Sequence, residues 1–235
     1  MTPVHAEPRR IYAIGDIHGR LDLLDRAIGA IRRDIEERGG AALTVTIGDY
    51  VDRGPHSCGV LDRLLDNPFA TPYVALKGNH EDMLEAFLAD AAVGPQWSYN
   101  GGEETLQSYG IRLYGYAAAD FEQARQELCA ALPEAHLRFL RALKTSLRRG
   151  GYFFCHAGVR PGVGLTRQRE EDLLWIREPF LSSERDFGAI VVHGHTPTAE
   201  PEVRPNRIGI DTGAFFSGRL TCVALGEGEP RFLRV

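Results

Sequence analysis

The chain has 235 residues, 43% of them hydrophobic and 25% charged, with a net charge of −5. That length can bury a sizeable core in one α/β domain, and the mild acidity lacks the basic footprint of a nucleic-acid binder. Four scattered cysteines, Cys58, Cys129, Cys155 and Cys222, form no C-x-x-C pair, which argues against zinc ribbons and redox dithiols and for reduced thiols in a cytoplasmic setting.

Residues 1–9 read as a flexible N-terminal arm without the apolar core of a signal segment, and no run approaches the ~18 apolar residues of a membrane span. A strand is predicted at 11–14. Leu21, Leu24, Ile28, Ile31 and Ile35 then recur at helical spacing until Gly39-Gly40. The β-branched run at 43–47 predicts a second strand, followed by a short helix at 57–66 and a third strand at 73–76. Met83, Leu84, Phe87 and Leu88 mark the next helix. The stretch 94–132 is less regular, with short helices predicted near 103–109 and 120–131. Pro133 opens a helix carrying Leu137, Leu140, Leu143 and Leu147, with Arg148 and Arg149 in its last turn and Gly150-Gly151 as its stop. Strands are predicted at 152–155, 189–192, 207–210, 220–224 and 231–235. The last of these lack intervening helices and are expected to be antiparallel. The order βαβαβα, then helices, then strands predicts a layered α/β fold with mixed sheets, in a single domain over 10–235.

Five polar motifs each follow a short apolar run: Gly15-Asp16-Ile17-His18-Gly19, the run from Gly48 to Gly54, Gly78-Asn79-His80-Glu81, His156-Ala157-Gly158 and Gly194-His195-Thr196. Ligands of open α/β sheets sit beyond the carboxyl ends of strands, so these positions converge on one place. Alternate residues leaving a strand project to one side, which suits Asp16 with His18. Asp49 follows its strand as Asp16 does and is placed to bridge two cations. Arg53 puts a cation beside Asp49 and Asp52, where an anionic ligand would be held. The candidate metal ligands are Asp16, His18, Asp49, Asn79, His156 and His195. Imidazole with oxygen donors and no thiolate favours Mn²⁺, Fe or Zn²⁺ over Ca²⁺ and over a structural zinc site. Cys155 should face away from its neighbour His156, as a small packed side chain. His5, His56 and His136 lack a motif and read as surface or packing residues.

The motifs G-D-I-H-G, G-D-Y-V-D-R-G and G-N-H-E resemble those of the PPP family of metallophosphatases, the phosphoprotein phosphatases. His156-Ala157-Gly158 and Gly194-His195-Thr196-Pro197 resemble its bacterial and phage branch. The likeness runs from Ile11 to Leu220 and implies a metallophosphoesterase-type sandwich of two mixed β-sheets flanked by helices. It assigns Asp16, His18 and bridging Asp49 to one metal, and Asp49, Asn79, His156 and His195 to the other, with Mn²⁺ the first choice of ion. It makes His80 the general acid, oriented by Asp52, and places substrate phosphate on Arg53, Arg177 and Asn79. The implied reaction is direct in-line attack by a hydroxide shared between two metals. The implied substrates are phosphoserine and phosphothreonine in proteins, with phosphotyrosine a further candidate. No obligatory subunit, nucleic acid or membrane partner is implied, and a monomer is expected.

The same motifs serve symmetrical dinucleoside polyphosphate hydrolases, which also share Asp211-Thr212-Gly213. In such an enzyme Trp97 and Tyr99 could stack a base; otherwise they pack. Asp211-Thr212-Gly213 is read as a structural turn. The chain departs from the wider class at Pro197, where a further histidine is usual; His193 lies two residues before His195 instead and is read as sitting behind the ligands.

Overall fold

The computed structural model describes residues 9–226 and 228–235. The expected arm, with His5, falls outside these residues except for Arg9, whose N–H donates to Ala41 O at 3.1 Å. Strand β1 (Arg10–Ile14) leads into helix α1 (Leu21–Arg38), β2 (Ala42–Thr46), α2 (Ser57–Leu65), β3 (Tyr73–Ala75) and α3 (Asn79–Ala89). Helices α4 (Gly94–Tyr99), α5 (Gly102–Ser108), α6 (Ala118–Ala131) and α7 (Glu134–Ala142) follow. Then come β4 (Ser146–Arg149), β5 (Tyr152–Cys155), α8 (Glu170–Trp175), β6 (Ile190–His193), β7 (Glu202–Val203), β8 (Arg207–Gly209), α9 (Ala214–Ser217), β9 (Cys222–Gly226) and β10 (Arg231–Leu233).

The strands form two five-stranded mixed sheets, ordered β10-β9-β1-β2-β3 and β4-β5-β6-β8-β7. In the first, β1, β2 and β3 run parallel and β9 pairs antiparallel with both β1 and β10, the latter as their helix-free connection led one to expect. In the second, β5, β6 and β8 are parallel, with antiparallel β4 and β7 at the edges.

Period-two alternation builds the layers. Ile11 and Ala13 of β1, Leu43 and Val45 of β2, and Val223 and Leu225 of β9 point inward. They meet Phe154, Val192 and Ile208 of the second sheet, forming a dry layer between the sheets. The alternate residues Tyr12 and Ile14 face the helices and join Leu23, Leu24, Leu61, Leu84 and Phe87. On the far side, Phe153, Cys155 and Val191 pack on Leu173, Ile176 and Phe180. Cys155 thus faces opposite to the inter-sheet layer, as its register required.

One predicted element is corrected. The helix begun at Pro133 ends at Ala142, and residues 146–149 form a strand. Backbone hydrogen bonds at the β3 edge explain the break: Lys144 N–H donates to Ala75 O at 3.2 Å, and Lys77 N–H donates to Lys144 O at 2.8 Å. Leu147 then faces Phe154 and packs on the inter-sheet layer, a role its leucine spacing could not distinguish from helix. Gly150-Gly151 is a two-residue hairpin loop between the paired Arg149 and Tyr152.

The exit of β1 packs tightly against that of β8. A Cβ on Gly15 would lie 2.2 Å from Ile210 O, a backbone atom with no freedom to retreat. Gly29, inside α1, faces only the flexible tip of Arg33 at 3.4 Å. Gly15→Ala should therefore destabilise the fold by about 1–3 kcal/mol, whereas Gly29→Ala should stabilise it by up to about 1 kcal/mol. Urea unfolding of the two variants checks both signs.

Candidate dimetal active site

Parallel strands β1 and β2 end side by side, and their loops are zipped together by the backbone. Ile17 N–H and His18 N–H both donate to Asp49 O, at 3.0 and 2.8 Å, and Gly19 N–H donates to Tyr50 O at 2.9 Å. Six non-glycine residues among those described have positive φ, and five of them are His18, Asp49, Asp52, Arg53 and His195. Such left-handed backbone is unfavourable for these side chains and concentrates where surrounding contacts enforce it for function.

Asp49 lies at the centre and is buried. Its Oδ2 faces His18 Nε2 at 3.4 Å and its Oδ1 faces His156 Nε2 at 3.4 Å. One carboxylate thus spans two imidazoles from different sheets. Its Oδ1 also accepts the His80 backbone N–H at 3.1 Å. Asn79 Oδ1 sits 2.7 Å from both His156 Nε2 and His195 Nδ1. Asp16 Oδ2 accepts the His195 N–H at 3.0 Å, while buried Asp16 Oδ1 has no partner. Close packing depends on glycine here: a Cβ on Gly194 would lie 2.0 Å from Asp16 Oδ1, and one on Gly78 would lie 2.2 Å from Asp49 Oδ1.

All six predicted ligands are therefore brought together. Ligand atoms of Asp16, Asp49 and His156 lie within 4.8 Å of one another, as do those of His18, Asp49 and His80. The grouping differs from the expected one, in which Asp16 shared a cation with His18 and His80 stood apart. Asp49 still belongs to both groups. His80 enters the second because its Nδ1 is anchored 2.8 Å from Asp52 Oδ2, which leaves Nε2, buried and without a partner, 3.9 Å from Asp49 Oδ2.

The electrostatics suit cations. Burial, with the charges of Asp211 and Asp49, pushes the Asp16 carboxyl well above its usual range. At Asp49 burial acts upward too, but His156, His80 and His18 outweigh it and hold the group low. Burial pushes His18 and His195 down to about 3 and also lowers His156, so all three imidazoles are neutral at pH 7, the state a metal ligand needs. His18 Nδ1 lies 2.9 Å from Val51 O and His156 Nδ1 3.0 Å from Ile47 O. Backbone acceptors there fix Nδ1–H tautomers and free each Nε2 lone pair. Burial opposes the His80 cation, but Asp49 and Asp52 overcome that cost and raise its pKa. Crowded buried carboxylates, an orphaned oxygen and neutral imidazoles together fit a pair of divalent cations.

Arg53 Nη1 lies 3.2 Å from His18 Nε2, and its guanidinium rests 4.9 Å from the Phe215 ring centroid. Arg177 is exposed, and its charge helps lower His195. Neighbouring Trp175 stands edge-on to His195 at 6.3 Å. His193 is buried behind the site, against Phe180 at 5.0 Å, with Nδ1 3.1 Å from Gly194 O. His136 is a packing residue, between Tyr109 OH at 2.7 Å and Asp62 at 2.9 Å. Trp97 is buried and stacked on Phe87 at 4.4 Å, so it is closed to a substrate base; Tyr99 is 91% exposed. Asp211 accepts the Gly213 N–H at 2.8 Å, the expected turn. Yet it also faces Asp16, and burial lifts its carboxyl to about 6.

Glu81, part of the Gly78-Asn79-His80-Glu81 motif, and Phe215 were given no role by the sequence. Glu81 is buried and accepts N–H groups from Gly78 (2.8 Å), Asp49 (2.9 Å), Tyr50 (2.7 Å) and Val51 (3.3 Å). It clamps the loop after β2 to the start of α3. The signal was an acidic residue three positions after Gly78, where it reaches back to the helix start. Phe215 stands 5.5 Å from His18 and supports Arg53; nothing in its sequence context marks that role.

The profile of the calcineurin-like phosphoesterase family matches residues 9–216. Serine/threonine-protein phosphatase 1 of Salmonella typhimurium is 33% identical over 221 residues, covering 91% of this chain and 90% of its own. The asymmetrical bis(5'-nucleosyl)-tetraphosphatase PrpE of Anoxybacillus flavithermus is 28% identical over 236 residues, covering 92% and 90%. The crystal structure of the cold-active protein-tyrosine phosphatase of a psychrophilic Shewanella shares the fold, with a TM-score of 0.62 over 97% of this chain and 81% of its own at 16% identity. With its two mixed sheets and the polar cluster at their strand ends, this chain belongs to the calcineurin-like phosphoesterase family.

Proposed function

We propose that the protein is a dimetal phosphomonoesterase that removes phosphate from serine and threonine, and from tyrosine as a further substrate, in proteins. The observation that carries the chemistry is Asp49, whose two oxygens face imidazoles from opposite sheets with His80 alongside. The 33% identity to a serine/threonine phosphatase favours protein substrates. Two divalent cations, Mn²⁺ first with Fe or Zn²⁺ as alternatives, held by Asp16, His18, Asp49, Asn79, His156 and His195, would supply an activated water and neutralise phosphate charge.

The chain's own groups do the rest. Arg53, Arg177 and Asn79 bind and orient the phosphate, where positioning and charge stabilisation dominate catalysis. His80 presents Nε2 to the departing oxygen and donates a proton, and Asp52 holds the ring through Nδ1. The pull of Asp49 and Asp52 keeps that proton available near neutral pH.

Similarity to PrpE supports a second reading, a bis(nucleosyl) tetraphosphatase. That relative is named for asymmetrical cleavage, whereas the motifs alone suggested the symmetrical mode. Symmetrical cleavage yields two nucleoside diphosphates; asymmetrical cleavage yields a monophosphate and a triphosphate. No helix among the described residues is long and apolar enough to cross a membrane, and a monomer working in the cytoplasm is the arrangement proposed.

Three outcomes test this. His80→Asn should lower kcat by about 10²–10⁴-fold with metal content retained by elemental analysis; loss of the metals would reassign His80 as a ligand. Asp49→Asn should lose both metals and all activity, and an active variant would remove the bridge. Phosphopeptides assayed with Mn²⁺ beside diadenosine tetraphosphate should be the better substrates; strong tetraphosphate cleavage with negligible phosphopeptide release would reverse the choice.

A further inference from the structure

The orienting carboxylate of Asp52 is fully buried, so its position depends on the donors that surround it. Its Oδ2 accepts the Trp97 indole N–H at 3.0 Å beside His80 Nδ1 at 2.8 Å. Its Oδ1 accepts the Thr105 hydroxyl at 2.6 Å. Thr105 Oγ1 in turn accepts the Asp52 backbone N–H at 2.9 Å, and the Ser57 hydroxyl lies 3.0 Å away. Both donors come from one short segment. Trp97 lies in α4, stacked on Phe87, and Gly102 opens α5 against its indole, where a Cβ would lie 2.3 Å away. Between them Gly101 O accepts the Arg53 N–H at 2.9 Å.

We infer that Trp97 and Thr105 are positioning residues that fix Asp52, and through it aim the His80 ring at the departing oxygen; this rests on the proposed role of His80. Packing alone does not require that an indole N–H and a threonine hydroxyl both end on one carboxylate. With three donors from three elements, that carboxylate has a single rotamer that satisfies them all. His80 meets Asp52 through one ring nitrogen only, so any swing of Asp52 swings the imidazole. The α4–α5 segment therefore sets the proton donor, and through Gly101 it also sets the backbone of Arg53.

A double-mutant cycle tests the inference. Trp97→Phe keeps the ring stack and deletes the N–H; Thr105→Val keeps the shape and deletes the hydroxyl; Thr105→Ser keeps the hydroxyl. Each is made in the full-length Mn²⁺-loaded enzyme, alone and with His80→Asn, and assayed on a phosphoserine peptide and on para-nitrophenyl phosphate. Trp97→Phe and Thr105→Val should each lower kcat on the phosphopeptide about tenfold, the scale of one hydrogen bond to a charged group, with KM little changed. Thr105→Ser should recover most of that loss. In the His80→Asn background the further loss should disappear. No loss in the single variants, or the same loss with and without His80, overturns the positioning role and leaves packing as the explanation. The role of His80 is judged separately: His80→Asn should harm the phosphopeptide, whose alkoxide needs a proton, more than the nitrophenyl ester. Equal harm would retire His80 as acid, while the cycle would still report whether Trp97 and Thr105 act through it.

Discussion

A buried carboxylate shared between two sheets organises this molecule. Asp49 cannot sit in the interior as an isolated anion at tolerable cost. The N–H of His80 donates to it, and its oxygens face imidazole nitrogens from the loop after β1 and from the second sheet, an arrangement that a pair of divalent cations would neutralise. Each of those groups is fixed in turn by backbone: His18 by Val51, His156 by Ile47. The two sheets must therefore pack with their strand ends in register to within a hydrogen bond. The dry layer of Ile11, Val45, Phe154 and Val192 supplies the rigidity for that alignment.

Glu81 has the complementary task. Four N–H groups point at its carboxylate, so the turn that carries Asp49, Tyr50 and Val51 is built around a side chain from the next helix. A glutamate in this place replaces a backbone ladder with a compact acceptor, and leaves the adjoining Asp49 oxygens free to face the site. Burial and the nearby Asp49 push its carboxyl up to about 7, while the four donors favour the anion.

The sequence carried the site more legibly than the fold. Asp16, His18, Asp49, Asn79, His156 and His195 each stand directly after an apolar run, and strand ends of parallel sheets converge whatever the loops between them do. The first strands were legible too, because the apolar run at 11–14 and the β-branched residues at 43–47 are plain. The break after Ala142 was not. Leucines at 137, 140, 143 and 147 fit a helix, and only the edge of β3, remote in sequence, draws Lys144 into a bridge and ends it. Thr105 and Phe215, and the contact of Trp97 with Asp52, were illegible for a related reason. Their neighbours in space, Asp52 and Arg53, are donated by a loop more than forty residues away in the chain, and a threonine or aromatic in a short helix carries no mark of what it will touch.

The left-handed backbone at His18, Asp49, Asp52, Arg53 and His195 sets two selective pressures against each other. Each of these residues is about 1–3 kcal/mol less comfortable than a glycine or an ordinary conformer would be. A library of this chain screened for heat resistance alone would drift toward glycine and asparagine at these five places, and the survivors would be sturdier proteins with an empty chemistry. Gains in robustness that keep the enzyme must come from elsewhere, on helix surfaces such as that of α1 and in loops remote from the strand ends.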